Sequence, residues 1–321
     1  MLFIVVGHVV LHGTQNQLPG SDIIKSITIT GVNLFVMISG YFSIRLSFKS
    51  FLNIVGTVIF YNFLSIILCV LIFKQSFPIA KIIGAFFPMS LSGPYWFVSC
   101  YLILMVLSPA INIVLEKASN LQYMGILAVV AYISCVSGWI FRNPINDFGY
   151  STFNMSFIYL IGHGIRRFRL KDRMKPYFWI SLYIVCTVCI FLMHYISDSR
   201  FLNYNNPLIV VSAVSLFCYI QNLEFRSRSI NWIAACMFPV YLIQDGYFGQ
   251  RIYSLLYDKG AEYSFAGGGY YLIIVVYMVS LFVISIITEQ VRQMLMNKPL
   301  IALSNFCSDK SRRILKSLKN S

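Results

Sequence analysis

The sequence predicts an all-α fold, a polytopic membrane bundle of about ten transmembrane helices, and three observations carry that prediction. Of the 321 residues, 58% are hydrophobic and only 11% are charged, whereas a soluble domain sits near roughly 45–50% apolar and about 25% charged. The apolar residues gather into ten runs, most of them close to the roughly 20 residues that a hydrocarbon core requires. The formal charge of +14, from 25 Lys and Arg against 11 Asp and Glu, lies in short connectors and the tail. That placement reads as topology signal and contact with anionic lipid, and it disfavours nucleic acid as a partner.

The first run, Met1 to Gly13, carries His8 and His12. Four residues apart on a helix, they share one face. An imidazole in a membrane segment is costly unless it meets a partner or a wet cavity, and it exchanges protons near neutral pH. This run spans only about 20 Å at 1.5 Å per residue, short of the ~30 Å core, so either the segment is re-entrant or, the favoured expectation, the first helix begins upstream of Met1.

A polar connector leads to a second run at 28–44, and further runs follow at 51–73, 95–115, 122–141, 150–165, 177–196, 206–222, 230–250 and 270–290. Neither a repeat nor a low-complexity stretch interrupts them. The expected organisation is therefore one membrane domain, 1–291, with a basic cytoplasmic tail, 292–321. Seven of the eight cysteines (Cys69, Cys100, Cys135, Cys186, Cys189, Cys218 and Cys236) fall in apolar runs without paired ligand spacing. They read as packing residues, not as a disulfide framework or metal ligands.

Connector charges set the orientation. The connectors after runs two, six and eight hold Arg45 and Lys49, the cluster from Arg166 to Lys175, and Arg226 with Arg228; the tail adds seven more cations from Arg292 to Lys319. With ten spans all of these share one side, which the positive-inside rule makes cytoplasmic, as it does both termini. The cell membrane is the expected location. His8, Asn33, Trp96, Gln244 and Asp245 then fall at similar depth near the outer face. Each has a plainer reading: Trp96 as an interfacial belt residue, Asn33 as an interhelical hydrogen bond, Asp245 in water beyond the membrane. His163 and His194, at span ends, read as interfacial, and the 166–175 cluster as a solvated topology signal with a second reading as a contact for a phosphorylated donor.

Four stretches together resemble the acyltransferase 3 family of integral membrane acyltransferases: the His8 segment, Gly31-Val32-Asn33-Leu34-Phe35-Val36-Met37-Ile38-Ser39-Gly40-Tyr41-Phe42, Gly93-Pro94-Tyr95-Trp96-Phe97 and Tyr241-Leu242-Ile243. The resemblance covers essentially the whole chain. It implies transfer of an acyl group, commonly acetyl from cytosolic acetyl-CoA, to a hydroxyl of a cell-surface polysaccharide or lipid-linked sugar. Acetyl-CoA would be a co-substrate, with no tightly bound cofactor. Combined with depth, it implies His8 as the base and Asp245 as its partner, with His12, Asn33, Trp96 and Gln244 on the substrate side. Arg45 and Lys49 are the implied donor-phosphate contacts. Two departures stand out. The family's arginine eleven residues before the histidine would precede Met1, which leaves the chain as given short of a complete and active start. Gln244 stands where a histidine is common. The rival class is a transporter or flippase for a lipid-linked sugar, since polar residues within spans also mark substrate pathways; a scaffold without turnover explains only the short first run.

Overall fold

The computed structural model describes residues 1–87, 95–197, 199–223 and 227–319. Gly93 and Pro94 of the fourth-run motif, and Arg226, lie outside the described residues. The chain is helical throughout, with no strand among the described residues. Seven helices are long and apolar enough to cross a membrane: Ser21–Phe42, Phe48–Phe73, Trp96–Lys117, Asn120–Ile140, Pro176–Ile196, Arg200–Gln221 and Gly268–Phe306. The other three predicted runs are also helical but fall short. Leu2–Gly13 is too short, Thr152–Arg167 has 16 residues, and the ninth run is broken into pieces. Among the described residues seven candidates thus stand where about ten crossings are expected. The physical reason is that helices sheltered by neighbouring helices need not meet the span length on their own.

We number the helices in chain order. α1 (Leu2–His8) widens into a π-helical turn over Val9–Gly13. α2 (Ser21–Thr28) and α3 (Gly31–Phe42) together make the second run. α4 (Phe48–Phe73) starts on a capping box in which Ser47 and Ser50 exchange bonds. The short α5 (Ile79–Gly84) precedes α6 (Trp96–Lys117) and α7 (Asn120–Ala131), the latter capped in the same way by Ser119 and Gln122. α8 (Thr152–Arg167), α9 (Pro176–Ile196) and α10 (Pro207–Gln221) follow. The broken run comprises α11 (Arg228–Ala235), α12 (Met237–Asp245) and α13 (Tyr247–Glu262), before the long α14 (Gly268–Lys319).

The core forms where α3 crosses α8. Gly40 packs against the Tyr159 carbonyl and Gly162 against the Met37 carbonyl so closely that a Cβ at either would overlap the facing backbone. Backbone approach of this kind is how helices associate in lipid, where apolar side chains gain nothing by leaving the solvent. Val36, Met37, Ile158, Tyr159, Phe97 and Tyr241 fill the surrounding core.

At one end of this crossing, Tyr159 Oη donates to Asn112 Oδ1 at 2.7 Å and accepts from Ile44 N at 2.9 Å, while Asn112 Nδ2 donates to Ile44 O at 3.0 Å. These bonds fix the α3–α4 connector. Arg167 donates to Leu115 O, Ala118 O and Asn120 Oδ1 at 2.6–2.9 Å, satisfying the carbonyls that end α6. Arg292, assigned to the tail from sequence, instead lies inside α14 and is buried. It forms a bidentate pair with Glu289 at 2.7 and 2.8 Å, and Glu289 also accepts from Tyr61 of α4 at 3.3 Å. A charged pair in a lipid-facing helix is tolerated because each charge is neutralised and turned toward a neighbouring helix.

Candidate active site

α1 brings His8 to the centre of the bundle, and the break between α12 and α13 brings Asp245 to meet it. His8 Nδ1 and Asp245 Oδ1 are 2.7 Å apart, with side chains 17% and 9% exposed. At that length the bond is charge-assisted. The carboxylate accepts the Nδ1 proton, which leaves Nε2 as the basic atom of the ring. The sequence placed these residues at one depth; the structure joins them across 237 positions of chain.

Asp245 owes its position to a bend that only glycine allows. At Gly246 a Cβ would lie 2.8 Å from Tyr95 Oη and 2.9 Å from Ser65 Oγ, and at Gly249 it would overlap the Gln244 and Ile243 carbonyls. The polar atoms crowding this bend also hold it. Tyr95 Oη donates to Leu242 O at 2.7 Å, and Phe248 N donates to Ser65 Oγ at 2.7 Å. The Ser65 bond satisfies a backbone N–H that a helix break inside a membrane leaves without an intrahelical partner, and the Tyr95 bond adds a second donor to a carbonyl that already accepts from Gly246 N at 3.1 Å.

The His8–Asp245 pair opens onto a cavity of about 520 Å³, whose lining includes His12, Lys25, Trp96, Tyr150, His194 and Tyr204. That size is typical of small-molecule sites, roughly 300–1,000 Å³. A second, much narrower cleft of about 20 Å³ touches His8 from the side of Phe35, Phe238 and Tyr241. His8, Ile4, Val32, Trp96 and Tyr204 line both spaces, so the imidazole stands where they meet. Trp96 stacks on Tyr204 with ring centroids 5.9 Å apart, and Tyr150 packs on Trp96 at 4.6 Å, making one aromatic wall.

The remaining predicted residues divide by what they touch. His12 lines the cavity, its ring edge-on to His8 at 5.4 Å. Asn33 is buried away from it, and its Nδ2 donates to the Tyr204 carbonyl at 3.0 Å. Gln244 is likewise buried, with Nε2 3.5 Å from the Val5 carbonyl, one turn along α1 from His8. Both therefore hold the wall and the helix that carry the site, and neither reaches the cavity. Arg45 is exposed on the α3–α4 connector and Lys49 is exposed in the first turn of α4. Arg45 lies thirteen residues beyond the cavity-lining Val32, about 20 Å at 1.5 Å per residue.

Among the lining residues that escaped the sequence reading are Lys25, Tyr150, Asn203, Tyr204 and His194, the last taken for an interfacial residue. The only signal for the segment around Tyr204 is its run of asparagines before Pro207. Asn206 caps α10 through Leu208 N at 3.0 Å and donates to Phe201 O at 2.8 Å, and Asn205 donates to Ser134 O at 3.2 Å. These bonds pin a connector that would otherwise be mobile and present Asn203 and Tyr204 inward.

A carboxylate-paired imidazole facing a cavity of a helical membrane bundle, beside an aromatic wall, is an arrangement chemically suited to moving a proton. The family described as "Acyltransferase domain" matches residues 1–290, and the chain belongs to that family of membrane acyltransferases. No curated protein and no solved structure matches it.

Proposed function

We propose that the chain is an O-acyltransferase that moves an acetyl group from cytosolic acetyl-CoA to a hydroxyl of a cell-surface polysaccharide or lipid-linked sugar. The observation that carries this reading is the His8–Asp245 pair standing between a roomy cavity that carries polar groups and a narrow apolar cleft. The acceptor sugar occupies the cavity against Trp96, since a sugar ring packs on an aromatic face. The acyl group sits in the cleft, whose ~20 Å³ suits a methyl and no long chain.

His8 Nε2 takes the proton of the acceptor hydroxyl as its oxygen attacks the thioester carbonyl carbon. The C–S bond then breaks, and the imidazolium returns the proton to the departing sulfur, giving an ester and free CoA. Asp245 holds the ring in the Nδ1–H form and balances the charge that develops on it. His12, edge-on to His8, contacts the acceptor. Asn33 and Gln244 act as positioning residues through Tyr204 and α1. Arg45 and Lys49 remain the donor-phosphate contacts, reached from the opposite end of α3 by the extended arm of CoA.

The test is acetyl-CoA turnover by the chain in lipid nanodiscs, with labelled acetyl groups and a panel of surface glycans. Free CoA and labelled glycan are expected only when acceptor is present, and His8→Ala should abolish both. Wild-type product from His8→Ala would remove the imidazole from the chemistry. Movement of unmodified glycan across the bilayer without CoA release would favour a carrier.

A further inference from the structure

The cavity beside His8 is unevenly charged. Its titratable lining comprises Lys25, His8, His12, His194 and Asp245, besides the tyrosines Tyr150 and Tyr204. The one carboxylate among them is already engaged by His8. Lys25 is therefore the fixed charge that an occupant meets.

Its surroundings keep the ammonium turned inward. Lys25 Nζ lies 2.8 Å from Asp22 Oδ1, and His194 Nε2 lies 3.2 Å from the same oxygen, with Lys25 and His194 themselves 3.3 Å apart. The side chains of Lys25 and His194 are only 13% and 12% exposed, whereas that of Asp22 is 39% exposed and is not part of the cavity lining. Asp22, more exposed than the two bases it pairs with, orients the cation and offsets part of its charge, and Lys25 and the His194 ring remain the donors on the cavity side. An ammonium in so enclosed a space gains more from an oxyanion than it would in water.

Helix register gives the distance to the reacting group. Gly7 of α1 packs beside Thr28 of α2, whose Oγ1 would lie 3.1 Å from a Cβ there. Thr28 is thus level with the turn that bears His8. Lys25, three residues earlier on α2, stands about one turn, or ~5 Å, further along. That is the scale on which an acidic group and a hydroxyl occur together in one sugar unit or its neighbour.

We infer that Lys25, held by Asp22 and His194, forms an oxyanion subsite and that the acceptor is an acidic glycan, its carboxylate or phosphate held at Lys25 while a hydroxyl reaches His8. This rests on the acyltransferase reading of the same cavity. The test uses the chain in phosphatidylcholine nanodiscs, titrated with a tetrasaccharide containing glucuronic acid and with its carboxyl-reduced counterpart. Wild type should bind the acidic form more tightly by about tenfold or more, as a charge-assisted contact provides. Lys25→Met should bring the ratio of the two affinities to about one, and Lys25→Arg should preserve the preference. A wild type that does not distinguish the two saccharides, or a Lys25→Met chain that still does, overturns the inference. So does loss of the preference when the nanodiscs contain phosphatidylglycerol, which would give the ammonium to a lipid phosphate. Acetyl transfer measured on the same samples separates the two readings. Transfer to both saccharides at one rate retains the acyltransferase and removes the acidic subsite, whereas a binding preference without any CoA release does the reverse.

Discussion

Asp245→Asn is the sharpest probe of the proposed chemistry, because it keeps the shape of the side chain and removes only its charge. During transfer the His8 ring becomes an imidazolium, and in the wild type a carboxylate oxygen 2.7 Å from Nδ1 answers that charge. Between charge centres about 4 Å apart, at an effective dielectric near 20, the attraction is on the order of 4 kcal/mol. Each ~1.4 kcal/mol is tenfold in rate, so losing most of it lowers turnover by about 10²–10³-fold. An amide can also present its NH₂ group to Nδ1 and favour the wrong tautomer, which pushes the loss toward the upper end of that range. The assay is acceptor-dependent release of CoA, followed by a thiol reagent, alongside thermal unfolding to show that the fold survives. The loss should appear in kcat, with KM for acetyl-CoA little changed, because the charge exists only as the reaction proceeds. An Asp245→Asn chain that stays folded and turns over within threefold of wild type would falsify the role of the carboxylate.

Other perturbations separate catalysis from architecture. Tyr95→Phe removes the 2.7 Å bond to Leu242 O that holds the α12–α13 bend; it should cost about 1 kcal/mol of stability by thermal or denaturant unfolding and lower turnover further than that loss alone explains. Gly162→Ala drives a methyl into the Met37 carbonyl, and the repacking should destabilise the bundle by about 3 kcal/mol, visible as a lower unfolding midpoint. Arg167→Ala frees three acceptors at the end of α6; it should destabilise the fold by about 2 kcal/mol with kcat unchanged in the fraction that remains folded. Trp96→Ala should raise the KM for a glycan acceptor about tenfold through lost stacking, measured by acceptor titration at saturating acetyl-CoA.

How much of this could be read from the chain follows from which forces act locally. Apolar runs and connector charges report on each segment by itself, so the helical layout was legible. Depth is local too, and it correctly grouped His8, Trp96 and Asp245. Rotation about a helix axis is not local. Asn33 and Gln244 share that depth but point at the Tyr204 and Val5 carbonyls, and only the packing of neighbouring helices decides which way each faces. Lys25 stayed hidden for a related reason. In sequence it is one cation of a polar connector, and its meaning depends on His194, which lies 169 positions away. The crossing count is less legible because a span-length rule assumes that each helix meets lipid alone. α8 is largely buried among its neighbours, and at the α12–α13 break Ser65 supplies the acceptor that Phe248 N lacks while Tyr95 ties Leu242 O to the start of α6.

The π-helical turn over Val9–Gly13 gives the first helix one unit of slack. Its wide bond, Thr14 N to Val9 O at 2.9 Å, takes up a residue that an ordinary helix would have to expel. Excising Val10 would let the turn close to ordinary helical pitch and change the angle between His8 and His12 about the axis, while His8, upstream of the cut, kept its place. Such a deletion would uncouple the two imidazoles and leave one to act without the other.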